Sequence, residues 1–150
     1  MPSSSRFAVA VHMLTLLEVG GGRPLTSGYI ASSVNTNPGF VRRVLSMLGR
    51  AGLVRSQLGA GGGAFLAKPA SRIRLLDVYR AVESGDVFVL HHSTPNPRCP
   101  VGKNIQPALR RVLSSAERAL EGQLADVTLA EMADSVRARA GRPVGNCGRT

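Results

Sequence analysis

The amino-acid sequence predicts a mainly α-helical chain with one small β-hairpin and a long helix near the C-terminus. Apolar residues recur at helical spacing up to residue 50, a glycine-rich stretch then separates two short apolar runs, and a second helical stripe follows residue 104. The chain has 150 residues, 43% of them hydrophobic, so it can bury the core of about one domain.

Two helices are expected before residue 35. The first covers residues 7–19 after a serine N-cap within residues 3–5, and its His12 is expected to pack among apolar neighbours. Three glycines end this helix. A short second helix follows them, with either Thr26 or Ser27 as its N-cap.

The third helix has the clearest boundaries. Asn37 is a favourable N-cap, Pro38 stands at the first helical position, where its missing N–H costs nothing, and Gly52 follows the last turn. An apolar stripe with i, i+3, i+4, i+7 spacing runs along it and consists of Val41, Val44, Leu45 and Leu48. The other side of the helix is polar and carries Arg42, Arg43, Ser46 and Arg50.

A β-hairpin with a glycine-rich tip is expected next. Residues 53–58 and 64–68 are its strands, residues 59–63 form the tip, and Pro69 ends the second strand. A fourth helix covers residues 75–82 and ends before a glycine. We expect residues 1–85 to fold as one unit.

A linker and a long helix are expected in the C-terminal part. Residues 86–103 form the linker, which is a candidate sensing loop, and the long helix begins near Asn104 with Pro107 in its first turn. One domain leaves little to cover the apolar stripe of this helix, so a second copy of the chain is expected to pack on it. The stripe consists of Ile105, Leu109, Val112, Leu113, Ala116 and Leu120.

A last short helix is expected after a capping box. Thr128 and Glu131 have the spacing of that motif, and the helix then runs to about Arg139. Residues 104–140 are therefore assigned together as dimerisation helices. Residues 141–150 are expected to be a flexible tail.

The charge of the chain favours a polyanionic partner. Nineteen basic residues against nine acidic ones leave a net charge of +10, and residues 1–85 carry +7 of it. No run of about 18 apolar residues is present to span a membrane. We expect a cytoplasmic protein, without a membrane partner, whose N-terminal half binds nucleic acid.

The order of elements, with three helices before a hairpin, is that of a winged helix-turn-helix followed by a long C-terminal dimerisation helix. In this fold the third helix enters the major groove of double-stranded DNA, where arginine can donate two hydrogen bonds to guanine. Glycines at the hairpin tip let backbone N–H groups approach phosphates. The expected DNA-binding residues are Thr26, Ser27, Tyr29, Asn37, Gly39, Arg42, Arg43, Ser46, Arg55, Gly61, Gly62 and Gly63.

Simpler alternatives stay open for some of these residues. Arg42 and Arg43 would also be exposed if they were only a solvated helix face, and helix capping alone would account for Thr26 or Ser27. A non-specific basic nucleic-acid-binding protein would share the charge and bind many sequences alike. Phe65, the only aromatic residue in the predicted strands, offers little surface for stacking single-stranded bases.

Four segments carry a family resemblance. They are Ser5-Arg6-Phe7-Ala8, the stretch from Asn37 to Val54, the wing glycines of residues 59–63, and Leu75-Leu76-Asp77-Val78-Tyr79. Together they resemble the Rrf-two (Rrf2) family of bacterial winged-helix transcriptional regulators, of the IscR, NsrR and CymR types. The resemblance implies a homodimer joined through the long helix that binds a palindromic operator. We expect a repressor that responds to an unknown effector, either a redox signal or a small molecule.

Three departures from the family pattern matter. Leu58 stands before the wing glycines, where family members usually have an arginine that enters the minor groove, and Arg55 is the nearest substitute. Ala64 follows the glycines in place of the usual aromatic residue. Cluster-binding members have three cysteines in the linker, where this chain has only Cys99. The chain therefore resembles the branch without an iron–sulfur cluster, and no cofactor is expected.

Cys99 is the remaining candidate for chemistry. Its neighbour Arg98 would stabilise a thiolate, so Cys99 is a candidate sensing residue, with Cys147 as a weaker resolving partner. The alternative is an unreactive loop cysteine. His91, His92 and Cys99 do not have the spacing of a recognised metal site, so no metal ligands are assigned.

No enzymatic centre is expected. Residues 59–64 fit the pattern G-x-G-x-x-A, but that dinucleotide-binding signature needs a helix directly after it, and a strand is expected there. A thiol enzyme built on Cys99 would lack a base in any recognisable motif. No Ser/His/Asp set or pair of carboxylates stands out.

Overall fold

The computed structural model describes residues 4–141. Over that range the chain is mainly helical with a single two-stranded antiparallel sheet, which confirms the predicted fold class. The elements in chain order are α1 (Arg6–Val19), α2 (Ser27–Val34), α3 (Pro38–Arg50), β1 (Val54–Gln57), β2 (Gly63–Leu66), a single 3-10 turn (Ala70–Arg72), α4 (Leu75–Val82), α5 (Pro100–Ala125) and α6 (Leu129–Ala140).

The chain divides into two compact units. Within the described range the first comprises residues 4–83 and 125–141, and the second comprises Ser84–Leu124. Helix α6 therefore belongs to the first unit, where it packs against α1, and not with α5 as the sequence had indicated. The reason is its buried face, because Leu129 and Ala133 are inaccessible to solvent within that unit.

Helix α1 is the centre of the first unit. It contacts α2, α3, α4, α6 and β2, and its residues Met13, Leu14 and Leu17 are almost completely buried. The other large side chains of this core come from α2, α3, α4, α6 and the segments between elements, and are Ile30, Val41, Val44, Leu48, Leu53, Ile73, Val78 and Leu129. Burial of side chains of this size stabilises the folded state by about 1.5–3 kcal/mol each.

His12 is exposed, so its predicted place in the core was wrong. It lies on the outer side of α1, where its Nε2 atom is 2.9 Å from Ser33 Oγ of α2. An imidazole in the core would need a buried hydrogen-bond partner, whereas at the surface Ser33 and water supply one. The apolar run around His12 had concealed this outward orientation.

Side-chain caps begin three of the helices. Thr26 Oγ1 accepts a hydrogen bond from the Tyr29 backbone N–H (3.2 Å), so Thr26 and not Ser27 is the N-cap of α2. The predicted Asn37 cap of α3 is confirmed, since Asn37 Oδ1 accepts from the Phe40 N–H at 2.8 Å. Ser5 occupies the N-cap position of α1 without a side-chain capping bond.

The capping box of α6 is formed reciprocally. The Glu131 N–H donates to Thr128 Oγ1 (3.2 Å), and the Thr128 N–H donates to Glu131 Oε2 (2.6 Å). The hydrogen bonds from the Thr128 backbone and hydroxyl lower the pKa of Glu131, because they stabilise the carboxylate. The predicted start of α6 is confirmed.

The hairpin pairs with the segment that precedes α2. Within the hairpin, Val54 of β1 is opposite Leu66 of β2, and Gln57 is opposite Gly63. Leu25 then adds one more backbone pair, because its N–H donates to the Ala64 carbonyl (2.9 Å) and its carbonyl accepts from the Ala64 N–H (2.8 Å). These two hydrogen bonds join the hairpin to the start of α2.

Gly63 makes this approach of two backbones sterically feasible. Its φ of 149° lies outside the region that other residues favour, and a Cβ atom there would overlap the backbone of Leu25. The wing therefore depends on glycine at this position for its own packing.

The second unit consists of the linker and most of α5. Helix α5 begins at Pro100, four residues before the predicted start, so the linker ends at Cys99 and Pro107 lies inside the helix rather than in its first turn. Proline is favourable at the first helical position, and the Cys99 carbonyl already accepts from the Lys103 N–H at 2.9 Å. No side chain of α5 is buried.

Two sequence expectations concern residues outside the described range. The flexible tail was assigned to residues 141–150, of which only Gly141 is described, and Cys147 also lies beyond that range. Among the described residues, no helix combines the length and apolar character needed to cross a membrane.

Replacing Gly63 with alanine should lower the free energy of unfolding by about 2 kcal/mol or more, because the new Cβ overlaps Leu25 in a strained conformation. The matched control is Gly122→Ala in α5, where a Cβ has open space and alanine should raise helix stability by about 0.5–1 kcal/mol. Urea denaturation at equal protein concentration measures both. An equal effect of the two substitutions would contradict the close approach at Gly63.

The Glu131 carboxylate should make the stability of α6 dependent on pH. Because its pKa is lowered on folding, its contribution is fully present at neutral pH and is lost as the pH falls below about 4. We expect Glu131→Gln to be less stable than the wild type at pH 7, with the difference shrinking by pH 2.5. Urea midpoints at the two pH values test this. A stability difference that stays the same at pH 7 and pH 2.5 would show that the charge of Glu131 does not strengthen its hydrogen bonds with Thr128.

Candidate nucleic-acid interface

Helices α2 and α3 form the helix-turn-helix. They pack against each other and are joined by a tight turn in which Asn35 adopts the left-handed conformation (φ 61°). The N-terminal ends of the two helices are also linked, because Arg42 Nη1 donates a hydrogen bond to Ser27 Oγ at 3.4 Å. Ser27 and Arg42, two of the predicted DNA-binding residues, are therefore held together.

The N-terminal half of α3 presents an exposed cationic surface. Arg42 and Arg43 are both exposed, and the Arg43 guanidinium lies 5.7 Å from the centre of the Phe40 ring, within the range of a cation–π contact. A Cβ at Gly39 would be 3.2 Å from Asn37 Oδ1, so glycine leaves room for the capping side chain.

A shallow groove of about 370 Å³ joins α3 to the first strand of the wing. It brings together three predicted residues, because Arg42 and Ser46 line it from α3 and Arg55 lines it from β1. Ser56 also lines the groove and was not predicted. The position of Ser56 depends on how the hairpin packs against α3, and the sequence contained no indication of that packing.

The wing glycines have different roles. Gly61 has a φ of 73° and open space around it, as expected for a residue whose backbone is free to approach a ligand. At Gly62 a Cβ would overlap the Gln57 carbonyl, so this glycine is needed for the turn itself. Leu58 is 93% exposed beside them. The glycine-rich tip therefore combines turn geometry with one projecting apolar side chain.

The electrostatic signature of this surface is stronger than the net charge indicates. From Val19 to Leu76 the chain contains eight basic residues and no aspartate or glutamate. The exposed arginines of α3 and β1 are Arg42, Arg43, Arg50 and Arg55. None of these four forms an ion pair with a carboxylate of the described residues. The absence of acidic residues along this stretch is visible in the sequence, but the surface that the arginines share is not.

The remaining chemical candidates do not form a site. His91, His92 and Cys99 are all exposed, and residues 4–141 contain no group of three or more histidine, cysteine or acidic side chains able to hold a metal ion. The G-x-G-x-x-A pattern runs into β2 and not into a helix, so it lacks the context of a dinucleotide site. The sensing role of Cys99, immediately before α5, stays a prediction.

A family model described as "Iron-dependent Transcriptional regulator", the Rrf2 model, matches residues 3–135. The chain belongs to the Rrf2 family. The resemblance seen in the sequence is thereby confirmed, and the chain is a DNA-binding transcriptional regulator. Which residues contact DNA stays a prediction at the level of individual side chains.

A relative agrees with this assignment, and two solved structures share the fold. YwnA of Bacillus subtilis (strain 168), named as an HTH-type transcriptional regulator, is 43% identical over 129 residues, which are 86% of this chain and 95% of that protein. The structure of T. potens IscR matches with a TM-score of 0.69 at 23% identity, over 91% of this chain and 88% of that one. CymR (YrzC), the global cysteine regulator of B. subtilis, matches with a TM-score of 0.64 at 23% identity, over 90% and 98% of the respective chains.

The residues of this Rrf2 chain do not fit an iron–sulfur cluster. Such clusters are held by several cysteine thiolates, and the whole sequence contains two cysteines. Only Cys99 lies in the linker, and its exposed thiol has no second sulfur ligand among the described residues.

Proposed function

We propose that this Rrf2 regulator is a homodimeric repressor that binds a palindromic operator in the cytoplasm and acts without an iron–sulfur cluster or catalytic activity. The observation that carries the proposal is the exposed, carboxylate-free surface shared by α3 and β1. Occupation of an operator by the dimer would block transcription from the adjoining promoter.

The proposed contacts to DNA follow from the arrangement of that surface. Arg42 and Arg43 lie in the first turns of α3, where a helix inserted in the major groove places its base-reading side chains. Exposed arginine can pair with guanine through two hydrogen bonds. Arg55 and the backbone of Gly61 would contact phosphates beside the groove, and the α2 N-terminus with Thr26, Ser27 and Tyr29 would contact the flanking backbone.

The dimer is supported by the state of α5. This helix has 26 residues, none of them buried, and it exposes apolar side chains along one side. Val112 is 64% exposed and Leu120 is 38% exposed. Helices with such stripes pack on a partner, and a second copy places one α3 in each half-site of a palindrome. A signal at the linker or α5 would then alter the spacing of the two recognition helices.

The double substitution Arg42→Ala/Arg43→Ala should weaken operator binding by about 1–3 kcal/mol for each arginine that reads a base. The operator is first selected by the protein from a library of random duplexes, and fluorescence anisotropy then compares it with a scrambled duplex at several salt concentrations. We expect the wild type to prefer the operator by about 10³-fold or more.

The control for this experiment is Arg137→Ala/Arg139→Ala, which removes the same charge from the last turn of α6. It should weaken binding to both duplexes to a similar, small extent. Failure of the selection to enrich any sequence would favour the alternative of a non-specific nucleic-acid-binding protein. An equal loss of operator affinity in the two double variants would show that α3 is not part of the recognition surface.

Val112→Glu should convert the dimer to a monomer, because it places a carboxylate in the exposed apolar stripe of α5. Arg110→Glu, two residues away and so about 200° around the helix, should leave the dimer intact. Sedimentation velocity over a range of concentrations distinguishes the two. A dimer that persists in Val112→Glu would place the interface elsewhere.

A further inference from the structure

An exposed leucine stands at the tip of the wing. Leu58 directly follows β1, and at 93% its exposed fraction is larger than that of any other large apolar side chain in residues 4–141. Isolated apolar side chains are common on protein surfaces, so exposure alone assigns no role to Leu58. Its place at the end of the cationic surface formed by α3 and β1 gives the exposure a meaning.

A hydrogen-bonded turn holds Leu58 in a defined position. The Gly62 N–H donates to the Gly59 carbonyl at 3.1 Å, which closes a four-residue turn immediately after Leu58. Gly59 and Gly61 have φ angles of 90° and 73°, which residues with a side chain rarely adopt. The two backbone hydrogen bonds to the start of α2 fix the other end of the hairpin. Leu58 therefore projects from a preorganised tip.

The length of the strand separates Leu58 from the groove between α3 and β1. Arg55 lines that groove, and Leu58 lies three residues further along the chain and outside it. A strand advances about 3.3 Å per residue, so the two residues are about 10 Å apart along β1. One sugar–phosphate backbone separates a major groove from the next minor groove, which is about 6 Å wide. With Arg55 at that backbone, Leu58 reaches the minor groove.

A leucine in a minor groove recognises DNA by its deformability. Its uncharged side chain gains nothing from the negative potential of a narrow A-tract, which attracts cationic side chains. Apolar side chains, leucine among them, instead wedge between base pairs, unstack them partially and bend the duplex by about 20–90°. Pyrimidine–purine steps (TA and CA/TG) are the most easily kinked.

We propose that Leu58 is an apolar wedge that enters the minor groove beside each half-site and selects a pyrimidine–purine step there. The inference rests on the proposed function, because it takes α3 to lie in the major groove. Residues 53–69 contain no carboxylate to repel phosphates, and the tip glycines have no side chains to hinder a close approach. Specificity at this step then comes from the energy of deforming DNA, without a hydrogen bond to a base edge.

Parallel selections from a library of random duplexes test the proposal with the wild type, Leu58→Met and Leu58→Asn. Both replacements are close to leucine in size, and only methionine keeps an apolar side chain. We expect the wild type and Leu58→Met to enrich a TA or CA/TG step at a fixed distance from each half-site. Leu58→Asn should enrich the same half-sites without that step. An enriched step that persists in Leu58→Asn, or that is missing for the wild type, overturns the proposal.

Two measurements on the selected operator test the wedge directly. Replacing the step with AA should weaken wild-type binding about fivefold or more and Leu58→Asn binding less than about twofold, as measured by fluorescence anisotropy. The adenine analogue 2-aminopurine, placed in the step, becomes more fluorescent when it unstacks. We expect that increase with the wild type and Leu58→Met but not with Leu58→Asn. If Leu58 instead docks on another protein, all three give the same DNA signals, which overturns the wedge.

Failure of the wedge is distinguishable from failure of the proposed function. If α3 reads the operator and Leu58 is not a wedge, all three proteins enrich identical half-sites and identical flanking steps. If none of them enriches a half-site, sequence-specific recognition itself fails. Circular dichroism verifies that the variants fold, as expected for substitutions at an almost fully exposed position.

Discussion

The two backbone hydrogen bonds between Leu25 and Ala64 determine how the rest of the first unit is arranged. They fix the wing to the segment that begins α2, and α2 in turn packs on α3. The wing and the helix-turn-helix consequently form one surface rather than two elements connected by a flexible chain. Gly63 permits the pairing because any Cβ at that position would overlap Leu25. The pairing thereby helps to hold the hairpin whose first strand forms one wall of the groove shared with α3.

The exposed arginines on that surface also have a consequence for stability. Between Val19 and Leu76 no carboxylate is available to neutralise eight basic side chains. Like charges at this density raise the free energy of the folded state, and added salt or a bound polyanion lowers it. The burial of apolar side chains in the core around α1 offsets the free energy of that repulsion. The chain thus retains a locally unfavourable charge distribution that becomes favourable when phosphates are present.

Local chemistry accounts for what the sequence predicted correctly. Asn37 with Pro38, and Thr128 with Glu131, define helix starts through atoms within three residues of each other, so their patterns are visible without knowledge of the fold. Three of the four residues of the apolar stripe predicted for α3, Val41, Val44 and Leu48, are buried, and the fourth, Leu45, is half-buried.

The features that the sequence could not provide depend on distant segments. The need for glycine at position 63 arises from Leu25, which is 38 residues earlier in the chain. His12 is exposed and contacts Ser33 of α2, 21 residues later in the chain, and α6 joins the first unit because Leu129 and Ala133 are buried there. Such long-range contacts leave no periodic pattern in the sequence.

None of the 26 residues of helix α5 is fully buried within its own chain, and the helix contains Pro107, whose missing N–H removes one hydrogen bond. In the proposed dimer the second chain would cover this helix, and the abundance of the protein would then be a regulatory variable. Below the dissociation constant of a dimer, the amount of dimer rises with the square of the chain concentration. A twofold change in synthesis or degradation then alters the supply of dimer about fourfold. A cell could thus adjust gene expression through protein turnover alone.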